Sequence, residues 1–516
     1  MITETSMNRD YFRFLPALLL IVFLFIDFGN ASVRIYDEAH FLLAGNTISG
    51  GVLGLLQGKN LSEIAAQLHQ EGGTLFFAAK PGHVGLMAFA GLFGGLQAWK
   101  ALLLMAILSV GILVLLQSVA EQWFGKEWGL LTGLATACSP LLVEYSKTAL
   151  SPVSSLFFAV LSLWFLQQGK RPLLMHNCAG LAAAAAVLCH YNTLPLLFAI
   201  MVSHIHRCRP KDIAAALLGG LFFLLLAEGV LTVADRILAG VYPEFKTFFG
   251  ELFYNLNRNH LSGKVFNQFD ADALVTDGFR GYTVQAYHHT AGWLLAGFSV
   301  PLICFAVGFT TKAILKRPFP LQSAEKTRET LYIMGWLILF PMVAWLLYPW
   351  KIERNFVQCI PGIVLLFPPL FCVLWGNNLH KKQYRLAVIL AALTLCLAGI
   401  LVNFPKRTNS PIVQMIELNR SFLESLPADS ANANSFPRAT SPLWKWYLGP
   451  EQANTGRAFR FLDFSSFSEN PLLITTDYSL RSTPENYEPW GKPLLDQEHE
   501  VPWRLLIRST PEPEQN

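Results

Sequence analysis

Two adjacent acidic residues, Asp37 and Glu38, follow the first long apolar stretch of the chain. Carboxylates are costly to hold near lipid, so a pair of them beside a membrane segment indicates a chemical role. An ionised carboxylate could act as a general base toward a hydroxyl or an amine, or it could orient a sugar. The structural alternative is that Asp37 caps a short helix over 39–47, with Glu38 in the first turn favouring the helix dipole. The two roles are compatible.

Two cations lie at the predicted starts of helices in the same chain. Lys80 comes before Pro81 at the predicted start of a helix, where a point charge and the N-terminal amides of the helix together suit a phosphate. Arg354 lies at the predicted mouth of a later helix, and its planar guanidinium could bind a phosphate through two hydrogen bonds. The alternative for Lys80 is contact with lipid headgroups, and for Arg354 it is a salt bridge or such a contact.

A third candidate lies between the prolines at positions 140 and 152, which shape a tight hairpin of two helices. This hairpin presents Glu144, Tyr145 and Lys147. An ordinary helical hairpin without a chemical role is the alternative unless its neighbours converge on it.

The elements that must position these residues are membrane helices. The chain has 516 residues, of which 53% are hydrophobic and 14% are charged, and its mean hydropathy is +0.39. Charged residues make up about a quarter of an ordinary globular chain. The charges here stand in short islands between apolar stretches long enough to cross a bilayer. The net charge of +4 gives no indication of nucleic acid as a partner.

The eight cysteines indicate neither a metal site nor a disulfide framework. All lie within or beside apolar stretches and none forms a CxxC pair, so we interpret them as small apolar residues of helices.

The distribution of lysine and arginine predicts the topology. Twelve apolar segments are candidates, at 13–29, 83–99, 101–120, 128–144, 150–167, 174–189, 192–205, 212–232, 291–311, 331–348, 355–375 and 385–402. If all except 83–99 cross, nearly all basic loops face the cytoplasm, as membrane proteins favour. We therefore predict about eleven spans, with the glycine-rich 83–99 as an interfacial or re-entrant helix on the outer surface. The first segment is predicted to be an uncleaved anchor.

The predicted fold is an all-α polytopic membrane protein with a small extracytoplasmic α/β appendage. The membrane domain covers 1–402 and carries two large outer loops, at 30–100 and 235–290. The tail, 403–516, is polar and contains short strand-like pieces such as 472–476. The chain is placed in the cytoplasmic (inner) membrane with its amino terminus in the cytoplasm.

In this topology many ionisable residues fall at the outer ends of helices. Each of them alone could extend its charge to the interface, but that would populate both membrane faces equally. We therefore predict that the set lines one outward-facing cavity. Its members are Asp27, Asp37, Glu38, Lys80, Glu144, Lys147, His190, Glu228 and Arg354.

Taken in order, these motifs resemble those of the GT-C membrane glycosyltransferases, in the branch of the protein O-mannosyltransferases and the lipid A aminoarabinose transferases. The matching pieces are Asp37-Glu38, Lys80-Pro-Gly-His followed by Leu92-Phe-Gly, Ser139-Pro with Tyr145-Ser-Lys147, and Arg354-Asn-Phe with Pro361. The chain departs from the family pattern at Gly82 (second proline), Ala79 (acid in the aminoarabinose transferases), Lys147 (arginine) and Asn355 (tyrosine). Ala79 argues against aminoarabinose as the sugar.

The resemblance implies a sugar donor linked to a polyprenyl phosphate and an inverting displacement at the anomeric carbon. It makes Asp37 the catalytic carboxylate and Glu38 its neighbour or a positioning acid. The candidate residues for binding the donor and its phosphate are Lys80, Arg354, His83, His40, Lys147 and Tyr145. Divalent-metal dependence varies among such enzymes, and we predict no structural metal.

The partners expected are therefore the lipid bilayer, the lipid-linked sugar and an acceptor that the sequence leaves open between a lipid, a polysaccharide and a protein. Two other functions stay open at this stage. A transporter or flippase for a lipid-linked molecule would use a similar cavity, and a non-catalytic scaffold of envelope assembly would not need Asp37.

The charge distribution makes a prediction about orientation. A reporter domain fused after residue 402 should be active on the extracytoplasmic side, because eleven crossings from a cytoplasmic amino terminus end outside. Phosphatase and fluorescent-protein fusions at that position measure this directly, and a cytoplasmic signal would contradict the eleven-span topology.

Overall fold

The computed structural model describes residues 12–26, 36–70, 74–75, 77, 79–168, 172–205, 209–238, 240–242, 245–256, 335–337, 339–341, 356–365, 381–403 and five strands between 434 and 508. Within these ranges the α-helices longer than one turn are α1 Leu15–Phe25, α2 Tyr36–Leu56, α3 Leu61–Gln70, α4 Pro81–Gly91, α5 Ala98–Phe124, α6 Lys126–Ala137, α7 Pro140–Ser146, α8 Ser151–Leu166, α9 Pro172–Cys189, α10 Leu194–Ile205, α11 Pro210–Leu238, α12 Phe248–Leu256 and α13 Lys381–Asn403. Short 3₁₀ turns lie at Phe12–Phe14, Tyr191–Thr193 and Val357–Cys359.

Four of the described helices are long and apolar enough to cross a membrane, namely α2, α5, α9 and α11. The pair α7 and α8, bent by 117°, passes the same test as one broken span. On α11 large apolar side chains such as Leu218 and Phe222 are exposed, as a helix surrounded by lipid requires. The prediction of a polytopic helical membrane protein is therefore confirmed. Helix α2 lies in the predicted outer loop 30–100 and is not one of the twelve predicted segments, although it is long and apolar enough to cross. Segment 291–311 and most of 331–348 lie outside the described residues, so the number eleven remains a prediction.

The bounds of several predicted helices differ in the structure; the helix α4, for example, ends at Gly91 and not at 99. Two further differences change the elements themselves. The segment 128–144 is not one helix, because it breaks before Pro140, whose ring and missing N–H prevent the preceding helix from continuing. The short helix expected over 39–47 is wrong as well, since α2 has 21 residues and continues through the apolar stretch that ends at Leu56.

Helix α4 has the length that the re-entrant interpretation of 83–99 requires. It contains 11 residues, which is about 17 Å, whereas the hydrocarbon core of a bilayer is about 30 Å thick. It packs closely on α2, where a Cβ at Gly45 would lie 2.6 Å from the Cβ of Met87. The small residue lets the two helix backbones approach, and this contact brings the beginnings of α2 and α4 together.

Helices α9 and α11 pack through their backbones. A Cβ at Gly180 would lie 1.9 Å from the carbonyl oxygen of Ala216, and one at Gly219 would lie 2.8 Å from the carbonyl oxygen of Asn177. Small residues at a membrane helix interface allow such close approach and the van der Waals contact that holds helices together in lipid. This packing holds the first half of α9 on α11, and the carboxyl end of α9 contacts α4.

The tail contributes one five-stranded sheet, formed by β1 Asn434–Pro437, β2 Gly456–Phe459, β3 Leu472–Thr476, β4 Tyr487–Leu495 and β5 Pro502–Arg508. The strand order is β2-β1-β3-β5-β4. The pairs of β1 with β2 and β3 are parallel, and the pairs of β5 with β3 and β4 are antiparallel. The predicted strand 472–476 is confirmed. The helices of the predicted α/β appendage lie outside the described residues.

The α9–α11 contact makes a prediction about stability. Gly180→Ala should lower the free energy of unfolding by about 1–3 kcal/mol, because the new methyl group meets a backbone carbonyl that cannot move aside. Thermal unfolding in mild detergent measures the change. The matched control is Gly229→Ala in α11, where a Cβ would meet nothing within 4 Å, and helix propensity should there stabilise by about 0.5–1 kcal/mol. Equal effects of the two substitutions would contradict the packing.

Candidate active site

Four segments converge around the first turn of α4. They are the start of α2, the start of α4, the turn 147–150 between α7 and α8, and the start of the helical piece 356–365. The first three segments are joined by hydrogen bonds from side chains or backbone groups, and the fourth is hydrogen-bonded to α8, which also contacts His83.

The acidic pair lies in the first turn of α2, where a negative charge interacts favourably with the helix dipole. The interpretation of Asp37 as the N-cap is wrong in detail, because α2 begins at Tyr36 and Asp37 already has helical conformation. The two acids differ in exposure. Asp37 is half-buried, whereas Glu38 is 1% exposed and its Oε2 accepts a hydrogen bond of 3.5 Å from the backbone N–H of Ala149. Asp37 is thus the more accessible carboxylate.

Lys80 occupies the N-cap position of α4 and is almost completely buried. Its Nζ lies 5.0 Å from the ring centroid of Phe41, a distance at which an ammonium ion and an aromatic face attract each other. Ala79 before it has a φ of +58°, a left-handed conformation that costs an L-residue roughly 1–2 kcal/mol. The backbone therefore turns sharply at the residue that delivers the lysine to the site.

His83 is fully buried, and both of its ring nitrogens are engaged. Nε2 lies 2.9 Å from the carbonyl oxygen of Ala149, and Nδ1 lies 2.9 Å from the hydroxyl oxygen of Ser154. Its ring also meets the ring of Phe41 in a T-shaped contact, with centroids 4.9 Å apart. The pKa of His83 is lowered from 6.5 to about 3, mainly by burial, while the hydrogen bond to Ala149 opposes this shift and the positive charge of Lys80 adds to it. The imidazole is therefore neutral at ordinary pH.

The residue before His83 explains one departure from the family pattern. A Cβ at Gly82 would lie 3.0 Å from the backbone nitrogen of Cys189 and 3.0 Å from the carbonyl carbon of Leu188, at the carboxyl end of α9. A proline ring in place of Gly82 would need space that α9 occupies. The glycine allows α4 to pack against α9 and carries His83 into the interior.

The tight hairpin predicted between positions 140 and 152 is a bend of 117° between α7 and α8 in the structure. Glu144 is exposed and Tyr145 and Lys147 are half-buried. Ser146, the last residue of α7, is buried and hydrogen-bonds through its hydroxyl to Ser109 of α5. The turn that carries Lys147 is thus tied to α5 on one side and to His83 on the other.

Sequence reasoning missed three groups that build the site. They are the backbone of Ala149, the hydroxyl of Ser154 and Gln358, whose Nε2 donates a hydrogen bond of 2.9 Å to the hydroxyl of Ser155. A backbone group carries no sequence signal, and a serine or a glutamine within an apolar helix is too common to stand out. Gln358 attaches the helical piece 356–365 to the first turn of α8.

Only some of the residues predicted to line one cavity lie close together in the structure. Glu38, Lys80 and the turn with Lys147 converge through the contacts above, and His40 lies two residues after Glu38 on α2. Glu228 instead accepts a hydrogen bond of 3.2 Å from the N–H of Phe249, in the first turn of α12, and His190 caps the 3₁₀ turn that follows it. The candidates Asp27 and Arg354 lie outside the described residues.

Metal ligation has no support from side-chain clustering in the described ranges. No group of three or more His, Cys, Asp or Glu side chains there is arranged to hold an ion. The charged groups described at this site include the carboxylates of α2 and the ammonium groups of Lys80 and Lys147.

No family model and no curated protein matches the chain. Solved structures define its fold class, which is the polytopic helical GT-C fold. The structure of ArnT from Cupriavidus metallidurans bound to undecaprenyl phosphate aligns with 95% of this chain and 97% of its own, with a TM-score of 0.56 at 13% identity. The apo state of ArnT from Cupriavidus metallidurans gives the same values. The apo oligosaccharyltransferase of Archaeoglobus fulgidus aligns with 92% of this chain and 70% of its own, at a TM-score of 0.46 and 11% identity.

The buried histidine makes a prediction about pH. Between about pH 6.5 and pH 3 the unfolded chain binds a proton at His83 that the folded chain does not bind. Its contribution to stability is therefore complete above pH 6.5 and is lost as the pH falls, by about 1.4 kcal/mol per pH unit. Unfolding in detergent between pH 7 and pH 5 should show a smaller loss for His83→Gln than for the wild type.

The control for this measurement is His69→Gln, at an exposed histidine in α3. It should keep the wild-type dependence on pH. If His83→Gln follows the same curve as the wild type, the imidazole is not held neutral in the fold.

Proposed function

We propose that the chain is a membrane glycosyltransferase that moves a sugar from a polyprenyl-phosphate donor to an acceptor on the outer side of the cytoplasmic membrane. The observation that carries the proposal is the position of Lys80 over Phe41. Phe41 is one helical turn after Asp37 on α2, and residues four apart on a helix are neighbours on one face. A buried cation and an accessible carboxylate thus belong to the same end of α2.

These two charges suit the two ends of a glycosyl transfer. Asp37 takes the proton of the acceptor hydroxyl or amine, and the acceptor atom then attacks the anomeric carbon. The bond from that carbon to the phosphate oxygen breaks, and the lipid phosphate leaves with both bonding electrons. Lys80 stabilises the negative charge that develops on the phosphate, and its low exposure strengthens this interaction relative to water.

The other candidate residues have supporting roles in this proposal. Glu38 is a positioning acid, because its buried carboxylate holds the N–H of Ala149. Lys147, Tyr145, His40 and Arg354 remain candidates for binding the donor. The solved structure of ArnT from Cupriavidus metallidurans, which shares the fold, contains undecaprenyl phosphate, and this supports a lipid phosphate as the leaving group.

The proposal includes a location and leaves one partner open. The active site and the carboxyl terminus are extracytoplasmic and the amino terminus is cytoplasmic, as the distribution of basic residues indicates. On this side of the membrane a lipid-linked sugar is the natural donor. The acceptor is a lipid, a polysaccharide or a protein of the envelope, and the kind of sugar is equally open.

The catalytic assignment makes a direct prediction. Asp37→Asn should reduce transfer by about 10²–10⁴-fold, because the amide keeps the size of the side chain but cannot accept the proton. The measurement is a comparative analysis of lipid A, polysaccharide and protein glycans in cells that carry the variant at wild-type protein level.

Asp235→Asn is the matched control for this substitution, since Asp235 is also a half-buried aspartate at a helix end, in α11. It should leave the products unchanged. Unchanged products with Asp37→Asn as well would reject the catalytic role and favour a transporter or a scaffold.

A further inference from the structure

We propose that His83 is a positioning residue of the donor site, which holds Phe41 and the turn 147–150 in the places from which Lys80 and Lys147 bind the donor phosphate. The proposal rests on the proposed function. It changes the role predicted for His83, which the motif order placed among the residues that bind the donor.

First, both ring nitrogens of His83 already have hydrogen-bond partners, so neither is available to a ligand in this arrangement. The carbonyl of Ala149 can only accept, so Nε2 of His83 carries the hydrogen and donates it. In the neutral ring Nδ1 is then an acceptor, and the hydroxyl of Ser154 donates to it. A donor phosphate would have to displace one of these two buried bonds.

Second, the hydroxyl hydrogen of Ser154 has two possible acceptors, Nδ1 of His83 and the carbonyl oxygen of Ser151. The hydroxyl oxygen of Ser154 lies 2.8 Å from the carbonyl oxygen of Ser151. A protonated ring would donate to Ser154 and let Ser154 donate to Ser151, so hydrogen bonding alone permits both charge states. The neutral ring is favoured because the ring is buried and because the ammonium group of Lys80 lies close to it, at the start of the same helix. His83 therefore adds no charge to the site, and its contribution is geometric.

The third step is a closed circuit of contacts. The ring of His83 makes a T-shaped contact with the ring of Phe41, and the ammonium group of Lys80 lies over the Phe41 ring. Phe41 shares the first turns of α2 with Glu38, which accepts from the N–H of Ala149. The carbonyl of Ala149 accepts from His83, and the circuit closes. Two helices and one turn are thus fixed relative to one another by four side chains and one backbone residue.

The circuit gives His83 a distinct effect on each cation. Without the ring, Phe41 loses the partner that fixes its plane beneath Lys80. At the same time Ala149 loses the donor to its carbonyl, and Lys147 is only two residues away on the same turn. If His83 only filled space, an apolar side chain of similar size could replace it without loss of function. If it is a positioning residue, its replacement must supply a donor to Ala149 and an acceptor to Ser154.

The test uses full-length protein in detergent with undecaprenyl phosphate as the probe. His83→Gln carries a donor and an acceptor on one planar group, and it should keep the affinity within about threefold. His83→Leu fills similar space without either, and it should weaken binding by roughly tenfold, which corresponds to the loss of one well-placed cation contact. The affinity of each variant is measured at a temperature equally far below its own midpoint of thermal unfolding.

A second pair of variants tests the idea if His83→Leu does not fold. Ser154→Ala removes the partner of Nδ1 and should weaken binding of undecaprenyl phosphate. Ser162→Ala is the matched control on the same helix, because Ser162 is buried and donates one hydrogen bond of 2.8 Å to the carbonyl of Ala179. It should leave the affinity unchanged.

The outcomes separate the two proposals. Lys80→Met should abolish binding of the probe, and retained binding with this variant would reject the proposed donor site itself. Loss of binding with Lys80→Met, together with wild-type affinity for His83→Leu and Ser154→Ala, would reject only the positioning role. Equal weakening by His83→Gln and His83→Leu would also reject it, since the hydrogen bonds would then not matter.

Discussion

Glu38 is an acid that the fold removes almost completely from water, and the described site is built around the cost of that burial. An ionised carboxylate in such a place costs several kcal/mol unless hydrogen bonds and nearby charges compensate for it. Here the compensation comes from the amino end of α2 itself and from the N–H of Ala149, on a turn distant in sequence. This requirement brings α2 against the turn between α7 and α8, and α4 fits between them because glycines line its contacts. The accessible Asp37 and the buried Lys80 then occupy fixed places beside it.

Composition and the spacing of charges are sufficient to predict a polytopic helical membrane protein, since every spanning helix must be apolar over a bilayer thickness and few other features share that signal. The bounds of α5, α9, α11 and α13 follow their apolar segments closely for this reason. The helix α2 was predicted too short because its polar first turns resemble those of an interfacial helix. The break between α6 and α7 depends on one proline, whose effect could have been recognised but was assigned to a hairpin.

The charged residues of the site can be predicted from the sequence, whereas its uncharged residues cannot. Asp37, Glu38 and Lys80 stand out from the sequence because ionisable groups are rare in an apolar chain, and the structure places Glu38 and Lys80 in one constellation with Phe41 and His83. The detailed roles could not be predicted in the same way. Whether a histidine binds a ligand or supports a backbone carbonyl depends on contacts made with residues that are far away in sequence, such as Ala149 and Ser154. Glu228 shows the same limit, since only the fold reveals that it caps α12.

The bond between Ser109 and Ser146 fixes how far along α5 the end of α7 lies. On α5 the charged residues Lys100 and Glu121 are about 32 Å apart along the helix axis, and the segment between them has no charge. That distance is close to the thickness of the hydrocarbon layer, about 30 Å. Ser109 lies about 14 Å along α5 from Lys100, so the end of α7 would lie below the headgroups on that side if the bilayer covers the uncharged segment. If the proposed donor reaches the turn after Ser146, its phosphate would have to leave the plane of the neighbouring headgroups, and the buried ammonium group of Lys80 would compensate for its lost hydration.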